Sequence, residues 1–213
     1  MLLSEDHLAV QDAVRAFVRA EIAPYAATWD RNRHFPALQL QGLAGLGCYG
    51  VAVPTAYDGA GLDYLALAII LEEIAAGDGG TSTVVSVNNC PVCSILMAWA
   101  NEAQKERWLK PLARGEMLGA FALTEPHVGS EAGGLKTVAV RDGDEWVVSG
   151  RWQWGSGSQH CTWLTGGTMT PEGELHLMYF DPADVTIHDT WYSHGLKGTG
   201  SHDFSVDGAR VPV

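Results

Sequence analysis

The sequence predicts an α+β protein, with an N-terminal all-helical domain at residues 1–116 followed by an antiparallel β-barrel or sandwich domain at residues 117–213. The prediction rests on a change of period. Apolar residues recur at helical spacing up to Glu116, then fall into short β-branched and aromatic runs past Met117, punctuated by Asp-Gly, Gly-Gly and Pro turn signals. A chain of 213 residues suits one large domain or two small ones, each able to bury an ordinary core.

In the helical half, SEDHLAVQDAVRAFVRAEIAP offers Ser4 as an N-cap, with Glu5 and Asp6 favourably placed in the first turn. Val10, Val14, Phe17 and Val18 share one face before Pro24. FPALQLQGLAGLGC starts a second helix at Pro36 and ends it in glycines. LDYLALAIILEEIAAGDGG is apolar on most sides and closes on Gly77, so this helix is expected to be deeply buried. A small-residue helix around TSTVVSVNN follows, then PVCSILMAWAN and EAQKERWLKPLARGE.

The strand candidates of the second half are LGAFALT, LKTVAVRDG, DEWVVSGRWQW, WLTGGTM, ELHLMYFD and HDFSVDGARV. Arg141-Asp142-Gly143-Asp144, between two of them, reads as a tight hairpin. The chain has no internal repeat, low-complexity tract or charged tail.

A formal net charge of −12 argues against nucleic-acid or anionic-membrane binding, which need clustered Lys and Arg. Any phosphate-bearing ligand must be held by local groups. The start MLLSEDHLAVQDAV has no basic leader, and no run reaches the ~18 apolar residues of a membrane span. A cytoplasmic protein is the expectation. Cys48, Cys90, Cys93 and Cys161 are too irregularly spaced for a secreted disulfide framework.

Two stretches carry chemistry. In AFALTEPHVGSEAGG, Pro126 ends a strand, and Gly129, Gly133 and Gly134 are expected to turn the backbone and expose N–H donors without a Cβ in the way. With Ser130 and the Thr124 hydroxyl, these donors make a concavity suited to a diphosphate or carbonyl oxygens. Taken alone, the same residues also describe an ordinary turn with a polar lip. In SGRWQWGSGSQHCTW, Trp152 and Trp154 precede the glycine-hydroxyl turn Gly155-Ser156-Gly157-Ser158. An aromatic face beside such donors suits a planar heteroaromatic ligand, whereas tryptophans that merely fill a core are the plainer reading for most of the set.

The run ALTEPHVGSEAGG resembles the signature of acyl-CoA dehydrogenases, flavoenzymes with an N-terminal helical domain, a middle β domain and a C-terminal four-helix domain. VNNCPVCSILMAWANEAQKERWLKPLARGEMLGAF upstream and GLKGTGSHDFSVDGARVP downstream are similar to the segments that flank that signature, so the resemblance covers essentially the whole chain. It implies an acyl-CoA dehydrogenase-like fold and an FAD-dependent oxidoreductase of fatty acid metabolism. The implied reaction is α,β-dehydrogenation of an acyl-CoA thioester with hydride transfer to flavin. Carried over, the backbone at Phe121 and Leu123, with Thr124, would face the pyrimidine side of FAD. Gly129 and Ser130 would lie by the pyrophosphate, Trp154 beside the isoalloxazine, and Ser156 at the N5/O4 edge. Such donors stabilise negative charge developing on the ring.

The sequence departs from the family pattern at Glu131, where an Asp is usual, and at Trp154-Gly155-Ser156, where many dehydrogenases have Trp-Ile-Thr. GRWQWGSGSQH and GTGSHDF look more like flavin-dependent monooxygenases of the same superfamily, which makes oxygen-dependent hydroxylation the alternative reaction. The family's catalytic carboxylate belongs to the C-terminal domain, so no catalytic base is assigned, and neither Glu125 nor Glu131 is expected to replace it. A third reading is a non-catalytic fragment or partner subunit. The expected partners are an acyl-CoA or related small molecule, and a second copy or a chain supplying the missing helices, with no nucleic acid and no membrane.

Other residues invite function less. Cys90-Pro-Val-Cys93 lacks the βαβ context of a redox motif and is expected to be core or near-core. The histidines lack metal-site spacing. Ser201-His202-Asp203 has the letters of a triad, but strand neighbours point to opposite faces. Lys136, Arg141 and Lys197 are expected to be solvated surface charges rather than coenzyme A contacts.

Overall fold

The computed structural model describes residues 3–213. It resolves into two compact units. One comprises the chain up to Met117 together with Ser193–Thr199, and the other Leu118–Tyr192 with Gly200–Val213.

In the first unit, α1 (Glu5–Glu21) starts at Ser4, whose side chain accepts from the His7 amide, and it buries Val14 and Val18. α2 (Ala26–Asn32) and α3 (Ala37–Gly45) follow, the latter opening at Pro36. α4 (Tyr64–Gly77) is capped by Asp63 and buries Leu67, Ile69, Ile70 and Ile74. A Cβ on Gly77 would lie 2.4 Å from Val18 Cγ1, so the missing side chain is what lets α4 close on α1. α4 also buries an acid that its apolar pattern disguises. Glu73 accepts from Gln11 Nε2 and from Arg15 Nε and Nη2. The Arg15 hydrogen bond outweighs burial and holds the Glu73 carboxyl below the usual range.

α5 (Gly79–Val87) is capped by Asp78 and is followed by Asn88–Cys93, where extended backbone at Cys90 kinks the helical path, before α6 (Ser94–Trp99). Asn88 and Asn89 are buried and well used. Asn89 Oδ1 accepts from Val51 N, and its Nδ2 donates to Cys48 O and Val85 O. Asn88 Nδ2 donates to Tyr49 O and Leu112 O. The unit ends in α7 (Glu102–Gln104), a wide turn at Lys105–Leu109, and α8 (Lys110–Ala113). Ser193–Thr199 joins this unit through the Lys197 amide, which donates to Asp30 Oδ1. Among the described residues no helix is long and apolar enough to cross a membrane.

The second unit holds two sheets. β1 (Gly119–Ala122), β4 (Trp163–Met169) and β5 (Leu175–Phe180) form one, in the order β1-β4-β5. β2 (Ala139–Asp142), β3 (Glu145–Gly155), β6 (Val185–His188) and β7 (His202–Pro212) form the other, in the order β2-β3-β7-β6. The hairpin lies where the sequence puts it: Asp142 pairs with Glu145, and Gly143 takes a positive φ of 65°. The sequence reading omitted β6, whose short segment Val185–His188 pairs with β7. It also expected antiparallel pairing throughout, whereas β1 runs parallel to β4. Trp152, Phe180, Phe204, Leu164 and Val148 meet in the core between the sheets. Trp152 lies against Gly166, where a Cβ would fall 2.7 Å from the indole, and its Nε1 donates to Gly167 O.

Candidate functional site

After a first register shift between Val148 and Gly150, β3 pairs evenly with β7 from Gly150 to Trp152, which lies opposite Phe204 and is 0% exposed. The next pairing joins Gly155 to His202, so Gln153 and Trp154 lie opposite Asp203 alone. Such an extra residue is a β-bulge, which bends the strand and re-aims its side chains. Trp154 takes the left-handed conformation, with φ 61°, a conformation that costs a residue bearing a Cβ about 1–2 kcal/mol. The residue is 59% exposed. An exposed tryptophan in a disfavoured backbone region at a strand bulge makes no gain in core packing, and strain of this kind concentrates at ligand sites.

The end of β1 secures the bulge. Gln153 N, released from the β7 ladder, donates to Thr124 O at 2.7 Å. Thr124 is thereby brought beside the segment carrying Trp154 and Ser156. Ser156 N donates to Trp154 O, and Ser156 Oγ lies 2.8 Å from Ser201 Oγ. Gly155 is required by packing, because a Cβ there would approach Phe204 Cδ1 to 2.9 Å. The glycine that departs from the Trp-Ile-Thr pattern therefore has a local structural cause.

Phe121 lies within β1 and Leu123 just beyond its end. Phe121 pairs with Thr165, and the Leu123 side chain covers the face of Gly167. The loop after Thr124 folds back on Glu125, a buried carboxylate whose Oε1 accepts from Thr137 N and Oε2 from Lys136 N. His127 Nε2 lies 3.0 Å from Oε2. Burial alone would raise the Glu125 carboxyl, but hydrogen bonds from Thr137 and Lys136, with His127 nearby, hold it below the usual range. Glu125 thus anchors the loop.

Gly129 and Ser130 lie further along, both exposed, and among the described residues no hydrogen bond ties them to the Trp154 turn. Gly129, Gly133 and Gly134 are absent from the positive-φ positions, which around the Trp154 turn are Trp154 itself, Gly157 and Gly200. A Cβ at Gly129 or Gly133 would meet no atom within 4 Å, so neither glycine is demanded by packing. What they leave is open space over bare backbone. The open backbone with the Ser130 hydroxyl is suited in its chemistry to an anionic group, and the exposed indole with the Thr124 and Ser156 hydroxyls to a flat ring with a polar edge.

The acyl-CoA dehydrogenase N-terminal domain model matches residues 4–116, and the acyl-CoA dehydrogenase middle domain model matches residues 120–209. The chain belongs to the acyl-CoA dehydrogenase family. The mitochondrial short-chain specific acyl-CoA dehydrogenase of Homo sapiens is 40% identical over 216 residues, which cover 99% of this chain and 52% of that protein. A probable acyl-CoA dehydrogenase of Bacillus subtilis is 30% identical, covering 99% of this chain and 57% of its own length. Among solved structures, a glutaryl-coenzyme A dehydrogenase in its glutaryl-CoA complex superposes with a TM-score of 0.93 at 27% identity, covering 100% of this chain and 56% of that one. A glutaryl-CoA dehydrogenase from Mycobacterium smegmatis in complex with FADH2 gives a TM-score of 0.93 at 26% identity, covering 99% and 54%. The chain spans about half the length of the curated relatives it matches.

The remaining candidates have structural occupations in this chain. His202 Nδ1 accepts from the amides of Thr190 and Trp191, and Asp203 accepts from Arg151, so neither serves a relay with Ser201. Cys93 is buried, and burial pushes its thiol up to about 12, away from the thiolate that redox chemistry needs. Arg141 Nε donates to Gly143 O within its own hairpin. The sequence names Ser201 only as a triad letter, because only the pairing of β3 with β7 sets its hydroxyl beside Ser156.

Proposed function

We propose that the chain carries the flavin-binding portion of an FAD-dependent acyl-CoA dehydrogenase, which desaturates an acyl-CoA thioester between its α and β carbons. The observation that carries this reading is the exposed, left-handed Trp154 on a bulge held by Thr124 O, with Ser156 beside it. When bound, FAD supplies the acceptor for the β-hydride.

The chain's own residues would bind and tune. The main chain at Phe121 and Leu123 and the Thr124 hydroxyl would serve the pyrimidine side, where donors favour charge on the ring. The open backbone at Gly129, with the Ser130 hydroxyl, would receive the pyrophosphate. The Trp154 indole would cover one ring face and exclude water, and Ser156 would hydrogen-bond the N5/O4 edge. No residue of the chain is assigned to remove the α-proton. Glu125 already accepts from Lys136 and Thr137, and Glu131 belongs to the exposed loop.

An absorbance spectrum of the purified chain tests the proposal directly. Flavin bands that bleach on anaerobic addition of an acyl-CoA are the expected result. A colourless chain that FAD cannot reconstitute sinks the reading. Oxygen consumption with supplied reduced flavin, and no response to acyl-CoA, would instead favour the hydroxylating alternative.

A further inference from the structure

Ser201 sits at the entrance to β7, 4% exposed, and its position is closely determined. Gly200 before it has φ 51°, and a Cβ there would fall 2.9 Å from Gln159 Oε1. His202 N donates to Gly200 O at 2.7 Å, which tightens the backbone around Ser201. Across the strand pair, Gly155 opposes His202 at the end of the bulge, and this register brings Ser156 Oγ to 2.8 Å from Ser201 Oγ. The more enclosed hydroxyl therefore backs the more accessible one.

Resting on the flavin reading above, we propose that Ser201 is a positioning residue that sets the hydrogen-bond direction of Ser156, letting it donate to the oxidised flavin edge and accept from the reduced one. A hydroxyl has one proton and two acceptor lone pairs. With Ser201 donating to Ser156, the Ser156 proton is free for an acceptor such as the ring nitrogen of oxidised flavin. Once that nitrogen carries hydrogen, it needs an acceptor. Ser156 supplies one by turning its proton to Ser201 Oγ. Each oxygen keeps its own proton and no bond to oxygen breaks, so the pair reverses by rotation alone. Without Ser201, Ser156 can still donate to oxidised flavin. Facing reduced flavin, its proton loses the acceptor behind it. The loss therefore falls on the reduced form.

The test compares affinities of the full chain for FAD and for dithionite-reduced FAD, titrated anaerobically, in wild type, Ser201→Ala, Ser156→Ala and the double variant. A net hydrogen bond is worth ~0.5–1.5 kcal/mol, so Ser201→Ala should lower the reduced-to-oxidised affinity ratio about fivefold. For a two-electron couple that ratio is a drop in midpoint potential of about 20 mV. Ser201→Thr, which keeps the hydroxyl, should restore it. In the Ser156→Ala background, Ser201→Ala should change nothing further, which a general packing defect would not reproduce. An unchanged ratio in Ser201→Ala, or an equal change in both backgrounds, overturns the role of Ser201 and leaves the flavin reading intact. A wild-type chain that binds neither form of flavin overturns both. Should Ser201→Ala not fold, Ser201→Cys, with its weak donor in nearly the same space, is read against the same criteria.

Discussion

Trp152 and Trp154 stand one residue apart in β3, and regular alternation would put both indoles on the same face. Trp152 keeps that geometry and disappears between the sheets, its ring 5.2 Å from Phe204 and 5.4 Å from Phe180 by centroid. Trp154, beyond the extra residue, turns left-handed and faces outward. Identical side chains thus serve cohesion in the regular part of the strand and, on the present proposal, recognition in its bulged end. Buried polar groups divide in the same way. Asn89 spends both ends of its amide on Val51, Cys48 and Val85, whereas the Ser156–Ser201 pair ends in a half-buried hydroxyl at an accessible lip.

The sharpest way to break this contrast is truncation of the two indoles. Trp152→Ala should cost ~3–5 kcal/mol in denaturant unfolding, as expected for a large core cavity. Asn89→Ala should cost ~2–3 kcal/mol, since it strands buried backbone groups, with no effect peculiar to flavin. Trp154→Ala should change stability by less than ~1 kcal/mol but weaken FAD binding by about tenfold, read by fluorescence titration. A Trp154 variant as unstable as the Trp152 one would erase the distinction.

Smaller effects sharpen the same comparison. The lowered carboxyl of Glu125 gives stability that is fully present above the ordinary carboxylate range and is lost as pH falls through its folded value. The stability gap between wild type and Glu125→Gln should therefore be widest near neutrality and close on acidification, followed by thermal unfolding across a pH series. Smallest of all, Gly129→Ala should leave stability within ~0.5 kcal/mol, since the added methyl meets no atom within 4 Å, while FAD affinity still falls.

The helical half was readable because burial there follows the 3.6 period, as Val14 and Val18 illustrate. Its buried acid was not, because Glu73 looks like a surface charge until Arg15 and Gln11 arrive from another helix. In the sheet unit, turn chemistry located the Gly143 hairpin, but local pattern says nothing about the direction in which distant β1 and β4 meet. The lip residues were named by resemblance to a family. Their arrangement was hidden for a physical reason: glycine advertises unusual backbone, as at Gly157 and Gly200, but nothing in a tryptophan announces the left-handed turn that Trp154 takes.

Because Gln153 and Trp154 share a single opposite number in Asp203, the character of this lip is encoded by arithmetic as much as by residue identity. Removing Gln153 would leave each of the seven proposed contacts in the sequence and still return the strand to even step, setting the second indole directly after Trp152 on the opposite face of the sheet, without the left-handed turn that now aims it. Insertions and deletions, more than substitutions, are then the changes by which descendants of this chain would gain or lose the site.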